Sequence, residues 1–261
     1  MNILHTIILG IVEGVTEFLP ISSTAHMDIV RSLLSVEATP FVKSFEIIIQ
    51  LGAIMAVVVI YFKKIFSSVK YFKQIVIAFI PTAIIGFILY KIIKTILLGN
   101  LMVEAITILL GGLIILYVEH LISNKKIVAI ENKTIESLSV KEAICLGLAQ
   151  SIAVIPGVSR SGAVIVAGCI MKLPADLITE FSFILAIPTM LAATCYDLFK
   201  SGFAFSASMW SSLALGFFVA FIVALFVVKW LINYIKTHSF AVFGWYRVVL
   251  GFILFLFLLL K

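Results

Sequence analysis

The chain has 261 residues, 63% of them hydrophobic and only 12% charged, and a mean hydropathy of +1.24. That composition excludes a water-soluble globular domain and places the chain in a lipid bilayer, because its apolar runs are long enough to cross one. The formal charge of +6 does not point to nucleic acid, since the lysines are spread over short segments between apolar runs, where membrane insertion puts them.

The first apolar stretch, Ile3 to Val12, has no basic segment before it and no small-residue cleavage site, and it runs straight into Glu13. It is therefore expected to stay on the mature protein and not to act as a signal peptide. From Ile3 to Leu34 the sequence is apolar on both sides of a Pro/Ser-rich centre at Pro20 to Thr24, which would break a helix at mid-depth. Transmembrane helices are predicted over Phe45–Phe62, Ile75–Ile93 and Leu101–Ile122. A second interrupted segment, Val140–Leu173, breaks around Pro156 to Gly162, and three more spans follow at Ile178–Phe199, Trp210–Ile232 and Phe240–Leu260. Non-helical backbone at membrane depth is tolerated only inside protein or beside a water-filled cavity, so both interrupted segments read as re-entrant helix-loop-helix hairpins around one internal pocket. The expected fold is an all-α integral membrane protein with six transmembrane helices plus the two hairpins, in a single membrane domain over residues 1–261.

One constant offset places Pro20 on Pro156, Ser23 on Ser159, Ile29 on Ile165, Val30 on Val166, Phe45 on Phe181 and Ala56 on Ala192. The halves, approximately 1–122 and 140–261, therefore read as diverged repeats. Each carries three spans, and three is odd, so the second half must be inserted upside down, which is an inverted-topology repeat. If the first hairpin enters from outside, the inner loops hold Lys63, Lys64, Lys70, Lys73, Lys125, Lys126, Lys133, Lys141, Lys229 and Lys236. The outer ends hold fewer basic residues: Arg31, Lys43, Lys91, Lys94, Lys200 and Lys261. The positive-inside rule then puts both termini outside.

The chemistry concentrates at the two breaks. Glu13 and Glu17 lie four residues apart, on one face of a half-helix, and two ionised carboxylates there would repel. They must hold a cation, share a proton, or face Arg160 and His26. An oxygen-only donor set suits Mg²⁺ or Ca²⁺, with Glu13 and Glu17 as the metal ligands. Ser22, Ser23 and Thr24 read most simply as turn or cap hydroxyls, but His26 supplies an imidazole beside them and the glutamates an orienting acid. In the second break, Ser159, Arg160, Ser161 and Gly162 open a helix, so backbone N–H groups and a guanidinium are expected to face phosphate oxygens.

The other polar residues carry weaker expectations. Glu46, Gln50 and Glu180 begin spans near the hairpins and read as support for the site. Glu104, Glu119, Asp197, His5, His120 and His238 read as interfacial, and Arg247 as snorkelling towards the surface. Gly111-Gly112 is read as close helix packing, and Pro81 and Pro188 as kinks. Cys145, Cys169 and Cys195 show neither metal-site nor disulfide spacing and read as small buried hydrophobes.

The run Glu-Gly-Val-Thr-Glu-Phe-Leu-Pro-Ile-Ser-Ser-Thr-Ala-His from Glu13 to His26, together with Pro156 to Gly162, closely resembles the bacterial undecaprenyl-diphosphate phosphatase family, also called bacitracin-resistance protein. The resemblance extends to Phe45-Glu46, Gln50-Leu51-Gly52 and Glu180-Phe181-Ser182-Phe183, and so spans nearly the whole chain. It departs at Ala25, where the family more often has glycine. The resemblance implies hydrolysis of undecaprenyl diphosphate to the monophosphate carrier and phosphate, for cell-wall polymer synthesis and with bacitracin resistance. It also implies a divalent metal and a site open to the outer side of the cytoplasmic (inner) membrane, and it leaves a homodimer open. The family's functional residues fall on Glu13, Glu17, Ser22, Ser23, Thr24, His26, Ser159 and Arg160. The expected catalytic set is Ser23, His26, Glu17, Glu13 and Arg160, with Ser22, Thr24, Ser159, Arg160, Ser161 and Gly162 binding substrate. Ser23 would attack with His26 as its base, with attack by His26 or by water as alternatives. A polyprenyl-phosphate transporter or flippase is the rival, because inverted repeats around broken helices are a transporter design.

Overall fold

The computed structural model describes residues 1–66, 68–92, 99–201 and 205–260. Asn2 starts the chain's first helix by accepting the His5 N–H at 2.8 Å, and α1 runs over Ile3–Thr16. The backbone then turns through Pro20 and reaches Ser22 at φ 74°, a positive-φ residue that precedes the next helix. Helix α2 occupies Ser23–Leu33. The second break follows the same plan. A reciprocal capping box between Ser139 and Glu142 opens α6 (Val140–Ser151), a short turn covers Ile152–Val154, and Gly157 at φ +84° redirects the chain into α7 (Arg160–Ile170). These four helices have 14, 11, 12 and 11 residues. At 1.5 Å per residue each is roughly 16–21 Å long, too short to cross a hydrocarbon core of about 30 Å.

Among the described residues, six other helices are long and apolar enough to cross: α3 (Pro40–Ile65), α4 (Val69–Ile92), α5 (Leu101–Ser123), α8 (Ala175–Ser201), α9 (Ala207–Ile235) and α10 (Ala241–Leu260). Each falls on a predicted span, and most start several residues earlier than hydropathy indicated. The reason is local capping, which hydropathy does not see: Thr39 accepts the Val42 N–H ahead of α3, with Pro40 at its first position, and Ser206 accepts the Met209 N–H ahead of α9. Pro81 and Pro188 lie inside α4 and α8, which continue through them. Ile93, Lys94 and Lys261 lie outside the described residues. No strand occurs among the described residues.

α1 lies against α9, α6 against α4, α3 against both α8 and α9, and α5 against α10. The first two contacts depend on small residues. A Cβ on Gly14 would sit 2.7 Å from the Ala220 carbonyl, and one on Gly147 would sit 2.0 Å from that of Ala78. Polar pairing adds to this: the Thr82 hydroxyl donates to the Gly147 carbonyl at 2.9 Å, and Gln150 Nε2 reaches Thr82 and Thr189. Large apolar side chains such as Phe87, Phe218, Phe226 and Trp245 point outward, the inverse of a soluble surface and what lipid requires. Cys195 is among the exposed residues, on the outer side of α8 and not in the core as the sequence suggested, whereas Cys169 is buried.

Candidate active site

The breaks after α1 and α6 meet inside the helix bundle. Glu17, the C-cap of α1, uses both carboxylate oxygens: Oε1 pairs with Arg160 Nη2 across the two segments, and Oε2 accepts the Ser23 hydroxyl at 2.5 Å. One carboxylate thus ties a hydroxyl from the first break to a guanidinium from the second. Arg160 Nη1 is buried and has no hydrogen bond among the described residues, so half of its fork remains available to a ligand.

Glu13, one turn before Glu17, is 0% exposed and its carboxyl faces that of Glu17, yet neither of its oxygens has a hydrogen-bond donor among the described residues. Ser22 Oγ is likewise buried and unpartnered, and Thr24 is half-buried. Glu13, Glu17, Ser23 and Arg160, all singled out from sequence, therefore come together, with Ser22 next to Ser23 in the chain.

Three expectations are corrected. First, His26 is not engaged with Ser23. Its Nδ1 contacts the Ser22 carbonyl at 2.7 Å, and its Nε2 contacts the Tyr246 hydroxyl at 2.7 Å, with the two rings stacked 5.6 Å apart. A carbonyl cannot donate, so Nδ1 carries the proton and Nε2 of the neutral ring accepts from tyrosine. Second, Ser159 and Ser161 turn towards protein. Both hydroxyls reach the Leu19 carbonyl, and Ser159 Oγ also accepts the Gly162 N–H at 3.1 Å. They stitch the second break to the first, leaving the N–H groups of Arg160 and Ser161 as the open start of α7. Third, Arg247 does not snorkel. It is 2% exposed, and its guanidinium donates to main-chain carbonyls of both breaks.

A sequence model described as bacitracin resistance protein BacA matches residues 6–253. The chain belongs to the bacitracin resistance protein BacA family. It is 49% identical over 249 residues to the undecaprenyl-diphosphatase of Aquifex aeolicus (strain VF5), covering 95% of this chain and 96% of that one. It is 48% identical over 256 residues to the protein of that name from Sulfurihydrogenibium sp. (strain YO3AOP1), with 98% and 99% covered, and 45% identical over 259 residues to the one from Wolinella succinogenes, with 99% of each covered.

A divalent metal is expected from the sequence, and the oxygen donors present would suit one. Glu13 offers two buried oxygens without donors among the described residues, and the Glu17 carboxylate adjoins it. Among the described residues no cluster of three or more His, Cys, Asp or Glu suited to a metal is found, so a hard cation there would complete its shell from phosphate and water.

Beside this centre lies a second buried polar group, of which sequence reading put Glu104 at the interface and Glu46 in support of the site. Arg31 pairs with Asp28 at 2.5 Å and with Glu46 at 3.4 Å, while Glu104, 0% exposed, faces Asp28 with neither oxygen donated to. Asp197 is buried too, accepting the Ser44 hydroxyl at 2.7 Å. Nearness to a span end gave no sign of burial, because neighbouring side chains cover Glu104 and Asp197 there. Tyr246 carried no sequence signal at all. For Arg247 a signal existed: the repeat offset aligns it with Gly111, a glycine opposite an arginine.

Proposed function

We propose that this chain is an undecaprenyl-diphosphatase that hydrolyses undecaprenyl diphosphate to undecaprenyl phosphate and inorganic phosphate, recycling the lipid carrier and thereby conferring bacitracin resistance. The observation that carries the proposal is the bridging of the Ser23 hydroxyl and the Arg160 guanidinium by one buried carboxylate, Glu17. The full-length relatives bear that enzyme's name.

In the proposed mechanism the diphosphate sits between the two breaks, with its polyprenyl tail left among the lipid-facing helices. Arg160 Nη1 and the N–H groups at the start of α7 bind the terminal phosphoryl oxygens, where charge develops. Ser23 Oγ attacks the terminal phosphorus and Glu17 accepts its proton. The anhydride P–O bond breaks and undecaprenyl phosphate leaves. Water then attacks the phosphoserine, releasing phosphate and restoring the hydroxyl. His26, fixed to the Ser22 carbonyl, holds the positive-φ turn that aims Ser23. A divalent cation held by Glu13 and Glu17 would neutralise phosphate charge.

The membrane arrangement belongs to the same proposal. α1–α2 and α6–α7 are re-entrant hairpins in repeats spanning 1–122 and 140–261, inverted relative to one another. What supports this is their length, and the way the offset relating Pro20 to Pro156 also carries α2 onto α7 and α3 onto α8, and the α1–α9 contact onto that of α6 with α4. The protein resides in the cytoplasmic (inner) membrane with the site open to the outer side, in keeping with the lysine distribution. The same inverted repeat favours a second reading, movement of a polyprenyl phosphate without hydrolysis.

Phosphate release by purified, detergent-solubilised protein from undecaprenyl diphosphate separates the two. Release that EDTA suppresses and that Glu17→Ala and Arg160→Ala abolish is expected. Well-folded protein that releases none, but moves fluorescent polyprenyl phosphate between leaflets of proteoliposomes, would establish the transport reading instead.

A further inference from the structure

We infer that Arg247 is a positioning residue of the phosphatase, a single guanidinium that sets the register between the two breaks; this inference rests on the reading under Proposed function. Arg247 lies in the second turn of α10. All of its hydrogen bonds go to main-chain carbonyls. Nη1 donates to Pro20 at 3.1 Å, Nη2 to Gly157 at 3.0 Å and Thr107 at 3.1 Å, and Nε to Ile108 at 3.2 Å. No carboxylate pairs with it among the described residues.

The places it grips matter. Pro20 stands midway between Glu17 and Ser23 in the chain, three residues from each, and Gly157 stands three residues before Arg160. The Glu17–Arg160 contact and the aim of Ser23 therefore depend on the separation of two carbonyls held by one rigid fork. α5 supplies the other end of the clamp, and the Thr107 hydroxyl reinforces it by donating to the Pro156 carbonyl at 2.7 Å. A lysine could not reproduce this geometry, because a point charge cannot address four carbonyls in one plane.

The helix pairing explains why one arginine serves both halves. The repeat offset sets Arg247 against Gly111, and α5 packs on α10. A Cβ at Gly111 would fall 2.2 Å from Arg247 Nη2, and one at Gly112 would fall 2.8 Å from Arg247 Cβ. The space between the helices holds a single guanidinium, so the matching position in the other half must be empty. Burying an unpaired cation is costly, and apolar filling would give plain helix packing at lower cost. What apolar filling cannot do is fix two loop carbonyls against each other.

The test uses full-length protein in detergent, with Arg247→Lys, Arg247→Gln and Gly111→Ala, the last displacing the guanidinium without removing it. We expect kcat to fall by about 10²-fold, the loss typical of an ångström-scale misplacement, with KM changed less than about threefold. Adding Arg247→Gln to Arg160→Ala should cost little more than Arg160→Ala alone, because both act on one contact. A merely structural Arg247 would lower the melting temperature while kcat of the folded protein stayed near wild type, and its effect would add to that of Arg160→Ala; either result overturns the inference. Should the Arg247 variants fail to fold, Gly111→Ala decides, and an unchanged kcat there rejects it. Hydrogen exchange of the segments around Pro20 and Gly157 provides a readout independent of chemistry. Faster exchange of both in Gly111→Ala is expected even if wild-type protein releases no phosphate, and unchanged exchange contradicts the inference while leaving the phosphatase reading intact.

Discussion

Arg160 shares its guanidinium between Glu17 and an open position, and that division sets the expected consequences of changing it. Arg160→Lys keeps the charge but cannot hold the carboxylate and a phosphoryl group together, so turnover should fall on the order of 10²-fold. Phosphate release within a fewfold of wild type would remove the fork from the mechanism. Tyr246→Phe removes a single neutral hydrogen bond from His26 Nε2 while keeping the stacked ring. It should cost about 1 kcal/mol, near fivefold in turnover, whereas His26→Ala also frees the Ser22 turn and should cost at least tenfold more than that. Equal losses in the two variants would show that Nε2 itself is the working group. Glu13, Glu17 and Arg160 were legible in the sequence because charge inside an apolar run has few innocent explanations. The partner choices within the site were not, since the side-chain directions that send Ser23 to Glu17 and His26 to Tyr246 come from the turn at Ser22.

Helices α1 and α9 touch through Gly14, whose missing side chain admits the Ala220 carbonyl. Gly14→Val should force α1 outward and take Glu13 and Glu17 with it, destabilising the protein by about 1–3 kcal/mol as an overpacked contact. A melting curve followed with a thiol-reactive dye would show it, and an unchanged midpoint would mean that α1 is not clamped there. Ser159→Ala removes the cap of α7 and a tie to Leu19, at about 1 kcal/mol for the cap alone. At this scale the six spans and both breaks were readable, because hydropathy and proline report length and interruption directly. The early starts of α3 and α9 were not, as they depend on Thr39 and Ser206, which hydropathy counts only as polar. Arg247 and Glu104 were misplaced for a related reason: position along a helix says nothing about which neighbour covers it.

Across the whole molecule, two short-helix pairs meet between long helices, and the offset that aligns their prolines also aligns the elements after them. The inverted reading places the α2–α3 connection outside and the α5–α6 connection inside. A cysteine at Glu37, which is exposed, should react with a membrane-impermeant maleimide on intact cells, and one at Glu131 only after permeabilisation. The reverse pattern would turn the molecule over and close the site to the outer side. The proposed reaction depends on Glu17 serving hydroxyl and guanidinium at once, so the most direct measurement is phosphate release from undecaprenyl diphosphate by purified Glu17→Gln. The amide keeps the shape but can neither take the Ser23 proton nor balance Arg160, and the expected rate is about 10³-fold below wild type. Turnover close to wild type in a folded Glu17→Gln protein would contradict the account.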